Sequence, residues 1–447
     1  MKVPVENSSD FARRNFLKSS AAATLSTVAF PMASQGSRVN AVQPIVMGLI
    51  GVGGMGMNHL KKLARRSEVS IAYVCNVDSN RLQTALKEVQ AISGRTPKGV
   101  NDLRDILIDK KVEAVLIATP DHWHAPAAIL SLNAGKHVYV EKPCCHNIRE
   151  GQLLREAVEK SGKHLQVGTQ SRSTGFVREA IDRLRDGAIG KVLVAKAWNS
   201  QRRSSIGHQP PAAPPVELDF DAWLGPAQNV PYRKNLLHGV WRWWYDFGCG
   251  DIGNDGVHDI DVALWGLDVK TGPTKVTCMG RKLFFDDDQE FPDTQYAVME
   301  FEDVSANREV KHFVFEQRIW SPYVQEGYEN GAAFYGTEGY IILGHSVGWK
   351  LYGPKSKLME ERIGQSDLDA HHLNFLKAVR GEAEALNADI GAGFLSASVV
   401  HLSNIAARVG RAISYDPANL SILGDTEANA LLQRKYRVGH WSIPVGV

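Results

Sequence analysis

Ile45-Val46-Met47-Gly48-Leu49-Ile50-Gly51-Val52-Gly53-Gly54-Met55-Gly56 is the stretch from which the fold is read. A mostly apolar run ends in Gly51, Gly53 and Gly56, and helical spacing follows in Met57, Leu60 and Leu63. A strand that turns through G-x-G-x-x-G into a helix places that helix's N-terminus where it can hold a pyrophosphate. Gly51 permits the tight turn, Gly53 the close approach of backbone to phosphate, and Gly56 the close packing of helix on strand, with Gly54 and Met55 completing the loop. The same glycines also occur in ordinary strand-to-helix turns. A second buried strand over 69–77, ending about 20 residues past Gly56, favours dinucleotide binding, because a ribose-binding acid is expected there. The residues at that place are Cys75-Asn76-Val77-Asp78. Asn76 can bond a ribose hydroxyl without repelling a 2′-phosphate, Arg81 is near enough to pair with one, and Asp78 can supply the acid slightly later. NAD and NADP therefore both stay open.

Downstream, 112–119 is a near-continuous apolar run, as suits a parallel strand covered on both faces. It ends in Thr119-Pro120-Asp121-His122-Trp123-His124; a helical stretch over 125–134 then leads to Gly135-Lys136-His137-Val138-Tyr139-Val140-Glu141-Lys142-Pro143. In this order and spacing the motifs resemble the Gfo/Idh/MocA oxidoreductase family over residues 44–410, with Glu141-Lys142-Pro143 the most specific of them. The resemblance implies an α/β architecture. A doubly wound parallel dinucleotide-binding sheet occupies 42–166, and an α/β domain with a large, mainly antiparallel open sheet occupies 167–447. One face of that second sheet would carry substrate and the other subunit contacts, giving a homo-oligomer, a dimer or tetramer. It also implies a tightly bound NAD or NADP held by Gly51, Gly53, Gly54, Met55, Gly56, Asn76, Asp78, Arg81, Thr119, Pro120, His124, Glu141 and Lys142. Pro143 would follow a constrained or cis turn that aims Lys142 at nicotinamide and substrate. An ammonium there can donate to a substrate oxygen and stabilise negative charge as a carbinol proton leaves.

In the second half, Leu165 to Thr169 leads into Gln170-Ser171-Arg172-Ser173, and strand-like runs at 192–199, 275–280, 295–301 and 310–317 fit the large sheet. The Pro- and Gly-rich excursion 204–232 reads as a lid or site wall. Chemistry is concentrated between Trp241 and Asp261. Apolar spacing from Val257 predicts a buried helix beginning near Asp255, with Asn254 and His258 on one face. Family members usually carry Asp-x-Gly-x-His-x-x-Asp here; this chain has Asn254 first, with Asp255 one place on. His258 is the candidate general base, since its ordinary pKa lies near neutrality. Asn254 would orient substrate or ring, Asp255 is a second catalytic candidate, and Asp261 a supporting acid. Asp251, Asp255 and His258 could also be spaced as metal ligands, but no sharp metal motif accompanies them and no metal is expected. Gln170, Arg172, Arg203, Trp243 and Tyr245 are substrate candidates beside His258, and Arg202 could help hold a charged group. The four aromatics at 241–245, with Arg242 among them, would suit the apolar face of a pyranose, although core packing is the simpler account of at least half of these rings. His371, His372 and Asn374 read as packing around the first turn of a late helix.

The chain of 447 residues is long enough for two or three domains. Its 51 basic and 49 acidic residues, with 44% hydrophobic content, exclude a disordered or fibrous chain and leave no basic block for nucleic acid. No run of about 18 uncharged apolar residues predicts a membrane span. Five cysteines do not make a disulfide framework, and adjacent Cys144 and Cys145 read as buried thiols. Residues 1–41 differ from the rest: Arg13-Arg14-Asn15-Phe16-Leu17-Lys18 precedes a mildly apolar run from Ser19 to Ala33, with a small-x-small pattern ending at Ala41. This layout resembles a twin-arginine export signal, with Ala12 where Ser or Thr is usual. The segment holds five basic and two acidic side chains, so its removal takes the net charge from +2 to −1. A periplasmic or cell-envelope enzyme lacks a free nicotinamide pool, hence the expectation of a resident cofactor loaded before export. The leading expectation is an NAD(P)-dependent oxidoreductase acting on a sugar, polyol or glycoside. The alternatives are a redox-neutral glycoside-processing enzyme and a non-catalytic nucleotide- or sugar-binding regulatory protein.

Overall fold

In the computed structural model, the residues described are 43–303, 309–321, 323–383 and 385–447; the leader 1–41 and its twin arginine lie outside them. Six parallel strands form the first sheet: β1 (Ile45–Ile50), β2 (Val69–Cys75), β3 (Lys98–Val100), β4 (Ala114–Ile117), β5 (His137–Val140) and β6 (Leu165–Val167), in the order β3-β2-β1-β4-β5-β6. Met47, Leu49, Val115 and Ile117 in the central strands are buried, because helices cover both faces of the sheet. The strand order reverses between β1 and β4, and in such sheets the ligand crevice lies outside the carboxyl ends of the strands at that point. Gly51, Asn76, Thr119 and Glu141 follow β1, β2, β4 and β5 at that edge. The second strand stops at Cys75, two residues before the sequence expectation. The Asn76 amide turns to Val100 O, and Asp78 leaves the strand to cap helix Ser79–Ser93, accepting from Arg81 N at 3.0 Å.

Ten strands form the second sheet: β7 (Val192–Asn199), β8 (Lys275–Arg281), β9 (Thr294–Asp303), β10 (Glu309–Arg318), β11 (Asn330–Gly336), β12 (Tyr340–Gly344), β13 (Gly348–Gly353), β14 (Lys357–Ile363), β15 (Ile413–Asp416) and β16 (Ser421–Leu423). Their order is β14-β13-β12-β11-β7-β10-β9-β8-β15-β16, antiparallel throughout except between β7 and β10. Alternation turns Met299, Phe313 and Phe315 inward, under helices Val257–Leu267 and Ile390–Val409. The opposite face exposes Met279, Tyr296 and Val298. Helix Ile390–Val409 is long and apolar enough to cross a membrane by length and composition, but 72% of its most apolar window is buried in the protein.

The two halves are laced together. Helix Leu368–Val379 from the second half puts Phe375 and Leu376 into the same core as Ile45, Met47 and Leu49. The last residues return to the first half, where Arg434 pairs with Glu150 at 2.7 Å and Tyr436 Oη donates to its Oε1 at 3.1 Å. The 204–232 excursion is tied to the end of β2 by Ser79 N to Glu217 O and Asp219 N to Val77 O, and it packs Trp223, Tyr232 and Phe247 into a small core of its own. All five cysteines are buried and reduced, with Cys144 and Cys145 sulfurs 4.0 Å apart.

Candidate active site

A cavity of about 840 Å³ opens at the carboxyl edge of the first sheet and runs to the start of helix Val257–Leu267, within the roughly 300–1,000 Å³ usual for small-molecule sites. One end is the glycine turn. Gly51 sits at φ +86°, a conformation that favours glycine, and a Cβ there would press on Ala118 O. A Cβ on Gly56 would collide with the carbonyl oxygen of Gly51, whereas one on Gly54 would meet only open space. Helix Gly54–Ala64 has no side-chain cap, so its first amides face the cavity with their hydrogens free for an anion. Arg81 Nη1 lies 3.8 Å from where a Gly53 Cβ would stand. Asn76, Val77 and Arg81 line the cavity here, while Asp78 does not: its carboxylate caps a helix and bonds His238 Nε2 at 3.0 Å.

The other end is where the charges converge. The Lys142–Pro143 peptide is cis, and Lys142 Nζ donates to Asn254 O at 2.5 Å, one turn before His258. The helix expected from Asp255 begins as a π-turn, Ile252–Gly256, that runs into Val257–Leu267. Asn254 turns its amide to Asp251 Oδ1 at 2.9 Å, and Asp251 also accepts from Asn199 at 2.8 Å. Arg203 forks onto Asp251 and bonds Asp255. Burial would raise the Asp255 carboxyl, but Arg203, then Lys142 and His345, hold it below the ordinary carboxylate range. Burial, followed by the charges of Lys142 and His345, pushes the His258 imidazole well below its ordinary value, so it stands neutral. Its Nδ1 is buried and bonds no described residue, leaving Nε2 as the nitrogen open to the cavity. His345 rises to about 9, chiefly from the charge of Asp259, whose carboxylate it meets at 3.0 Å. Asp121, by contrast, is raised by burial, only partly opposed by His124 and Lys142.

The lining fits a nicotinamide dinucleotide. Besides the glycine cradle, it contains buried polar atoms without protein partners: Thr119 Oγ1, Gln170 Oε1, His258 Nδ1 and Arg242 Nε. Polar atoms buried in this way call for a ligand or water. A family model described as "Oxidoreductase family, NAD-binding Rossmann fold" matches residues 45–169, and its companion, "Oxidoreductase family, C-terminal alpha/beta domain", matches 196–303 and 345–443.

This chain belongs to the Gfo/Idh/MocA oxidoreductase family. It is 37% identical over 152 residues to inositol 2-dehydrogenase of Salmonella paratyphi B, covering 33% of this chain and 43% of that protein. It is 28% identical over 211 residues to a glycosyl hydrolase family 109 protein of Shewanella baltica, covering 41% and 45%. These matches span less than half of either relative. The solved aldose-aldose oxidoreductase of Caulobacter crescentus shares the fold, with a TM-score of 0.63, 16% identity, and coverage of 83% of this chain and 100% of that one.

Against this Gfo/Idh/MocA frame, the structure gathers Gly51, Gly53, Gly54, Met55, Asn76, Arg81, Thr119, Pro120, His124, Glu141, Lys142, Gln170, Asn254, Asp255 and His258 around one cavity. Some of these, and several other candidates, spend their polar groups on protein partners. Glu141 borders the space but sends its carboxylate to His59 Nε2 at 3.0 Å; burial would raise this carboxyl, and His59 holds it low. His124 spans Thr119 O and Pro143 O at 2.9 and 2.7 Å, clamping the β4 end to the lysine turn. Arg172 is not a lining residue, because it is locked in a fork on Asp261 at 2.7 and 3.0 Å; Asp261 is thereby withdrawn from His258. Arg203 likewise supports acids and does not line the cavity, and Arg202 is exposed. Trp243 is buried in the core, and Tyr245 packs on Phe291 and Arg408. His371 and His372 pack internally, on Ser173 and His59. Of the aromatic cluster, Trp241 and Arg242 line the cavity; sequence reasoning left out Asp121, Trp123, Trp223, His238 and Trp441, which line it too, and His345, which acts on His258 from the β12–β13 turn. The Asp-His-Trp-His run and the aromatic cluster were visible signals; nothing local marks Trp441 or His345.

Proposed function

We propose that this protein is an NAD(P)-dependent oxidoreductase of sugar, polyol or glycoside hydroxyls, with its cofactor held tightly. When bound, the nicotinamide supplies the acceptor, or donor, of a hydride at the reacting carbon. The protein's own groups supply the rest. His258 Nε2 takes the hydroxyl proton, since its ring is kept neutral by burial and by Lys142. Lys142 spends one hydrogen on Asn254 O and has two more to direct at the substrate oxygen. Asp255, held ionised by Arg203, offsets the positive charge around them. Asn76 and Arg81 favour acceptance of NADP as well as NAD, because an amide follows β2 and Asp78 is claimed by its helix cap and His238. The observation that carries this reading is the 2.5 Å contact from Lys142 to the turn that leads into the helix of His258, at the wall of the glycine-lined cavity.

The similarity to a glycosyl hydrolase family 109 protein favours a second outcome of the same chemistry: transient oxidation of a glycoside to a ketone, then elimination and return, with no net redox change. The twin-arginine motif at Arg13-Arg14 supports an exported, periplasmic or envelope enzyme, for which such a closed cycle needs no cofactor exchange. Exposed Met279 and Tyr296, paired across β8 and β9, support burial of that sheet face against a second copy. Denaturing the purified protein should release about one NAD(H) or NADP(H) per chain, and incubation with a pyranoside in D₂O should exchange an acidified carbon-bound hydrogen. A protein free of nicotinamide that perturbs added NADH fluorescence yet transfers nothing would be a binding protein instead.

A further inference from the structure

One cation at the catalytic end is unused by that chemistry. Arg242 projects from the turn Trp241–Trp243, and its stem is fixed: a Cβ on Gly248 would collide with Arg242 Cα, and Glu290 N bonds Trp243 O at 2.9 Å. The guanidinium lines the cavity beside the Trp241 ring, with Cζ 5.6 Å from the ring centroid. Three other arginines set into the interior each have a carboxylate: Arg172 has Asp261, Arg203 has Asp251 and Asp255, Arg434 has Glu150. Arg242 has none among the described residues, and its buried Nε bonds nothing. The neighbouring acids are Asp251 and Asp255, already engaged by Arg203, and Asp121, whose carboxyl burial pushes up. Burial, opposed by the charge of Asp251, pulls Arg242 below its ordinary value, as for a guanidinium short of a counter-ion. A buried cation without a partner is costly unless a ligand completes it.

We propose that Arg242 anchors a carboxylate of the sugar substrate, so that the enzyme's preferred substrates are uronic acids or uronides. Trp241 lies beside the guanidinium, and the two Nη groups, which bond no described residue, can meet a carboxylate with two parallel hydrogen bonds. Trp241 would at the same time offer an apolar ring for the pyranose to rest on. The inference rests on the oxidoreductase reading for the chemistry but not for the binding.

The test uses the purified, cofactor-loaded protein and follows tryptophan fluorescence and titration heat with methyl glucuronide and methyl galacturonide, the corresponding neutral glycosides, and glucose 6-phosphate and glucose 6-sulfate. Uronides should bind about 10- to 100-fold more tightly than the neutral glycosides. Arg242→Gln should erase that ratio and Arg242→Lys restore part of it, with nicotinamide content at the wild-type level. Equal affinities for neutral and anionic sugars in the wild type would overturn the proposal. So would a preference for the phosphate or sulfate ester over the uronides, or loss of the cofactor from Arg242→Gln, which would put this cation on the dinucleotide. Uronide binding that depends on Arg242 without any hydrogen exchange would uphold the anion site and remove the oxidoreductase reading. Exchange with all pyranosides and no uronide preference would do the reverse.

Discussion

Replacing Arg172 with Met separates a structural arginine from a substrate-binding one. The guanidinium is 11% exposed and Asp261 fully buried, joined by two short bonds, with Ser396 Oγ adding a third to the carboxylate at 2.6 Å and Trp265 lying 5.0 Å from Arg172 Cζ. Without the arginine, Asp261 keeps one neutral donor, and breaking a buried pair from one side costs about 3–5 kcal/mol. For a unit of about 400 residues, an unfolding entropy of ~2.1 cal/mol/K per residue gives ~0.85 kcal/mol/K, so the melting midpoint should fall by about 4–6 °C. The assay is calorimetry or dye-monitored melting at saturating cofactor, so that ligand linkage is equal in both proteins. Adding Asp261→Asn should recover much of the loss, since the uncompensated charge goes with it. A variant that melts with the wild type but no longer binds sugar would refute this reasoning and return Arg172 to the substrate site.

The His345–Asp259 pair gives a pH dependence. The His345 pKa is raised from about 6.5 to about 9, so its stabilisation is complete below pH 6.5 and disappears as pH rises through 9. Its upper limit is about 3 kcal/mol, reduced because 31% of the side chain meets solvent; melting from pH 7 to 10 should therefore fall more in the wild type than in His345→Gln. Because His258 is held neutral, kcat/KM should stay level from pH 8 down to 6, and an acid limb centred near 6.5 would contradict the neutral base. Asn76→Asp should shift the NADH:NADPH affinity ratio about tenfold or more towards NADH, read by fluorescence titration; an unchanged ratio would place the 2′ position elsewhere. Gly56→Ala, whose Cβ meets Gly51 O, should abolish co-purification of nicotinamide, and retention at wild-type level would count against the cradle.

Local chemistry was readable wherever the determinants are neighbours in sequence. The β1–glycine–helix unit and the Glu141-Lys142-Pro143 turn are of this kind, as is the parallel first sheet, whose buried strands appear as uninterrupted apolar runs. Side chains that choose among distant partners were less readable. Asp78 stands just past the place of a ribose acid and could supply one, yet a helix N-cap and His238, 160 residues away, claim it. Arg172 has the composition of a sugar ligand, but Asp261 claims it from another helix and is itself held by Ser396 from a third. In the aromatic cluster, the turn sends Trp241 and Arg242 to the cavity and Trp243 to the core, a split that rings and spacing alone do not reveal. His345 and Trp441 reach the site only because a hairpin and the returning tail fold over it.

The central claim is that Lys142 and His258 act together on one carbon of a sugar lying against a bound nicotinamide. Rapid mixing of the nicotinamide-loaded protein with a pyranoside, followed at 340 nm, tests it most directly. The wild type should show a single-turnover absorbance change, and Lys142→Met and His258→Asn should each lose it by about 100-fold or more with the cofactor still bound. A Lys142→Met protein that carries its nicotinamide and reacts at the wild-type rate would contradict the account.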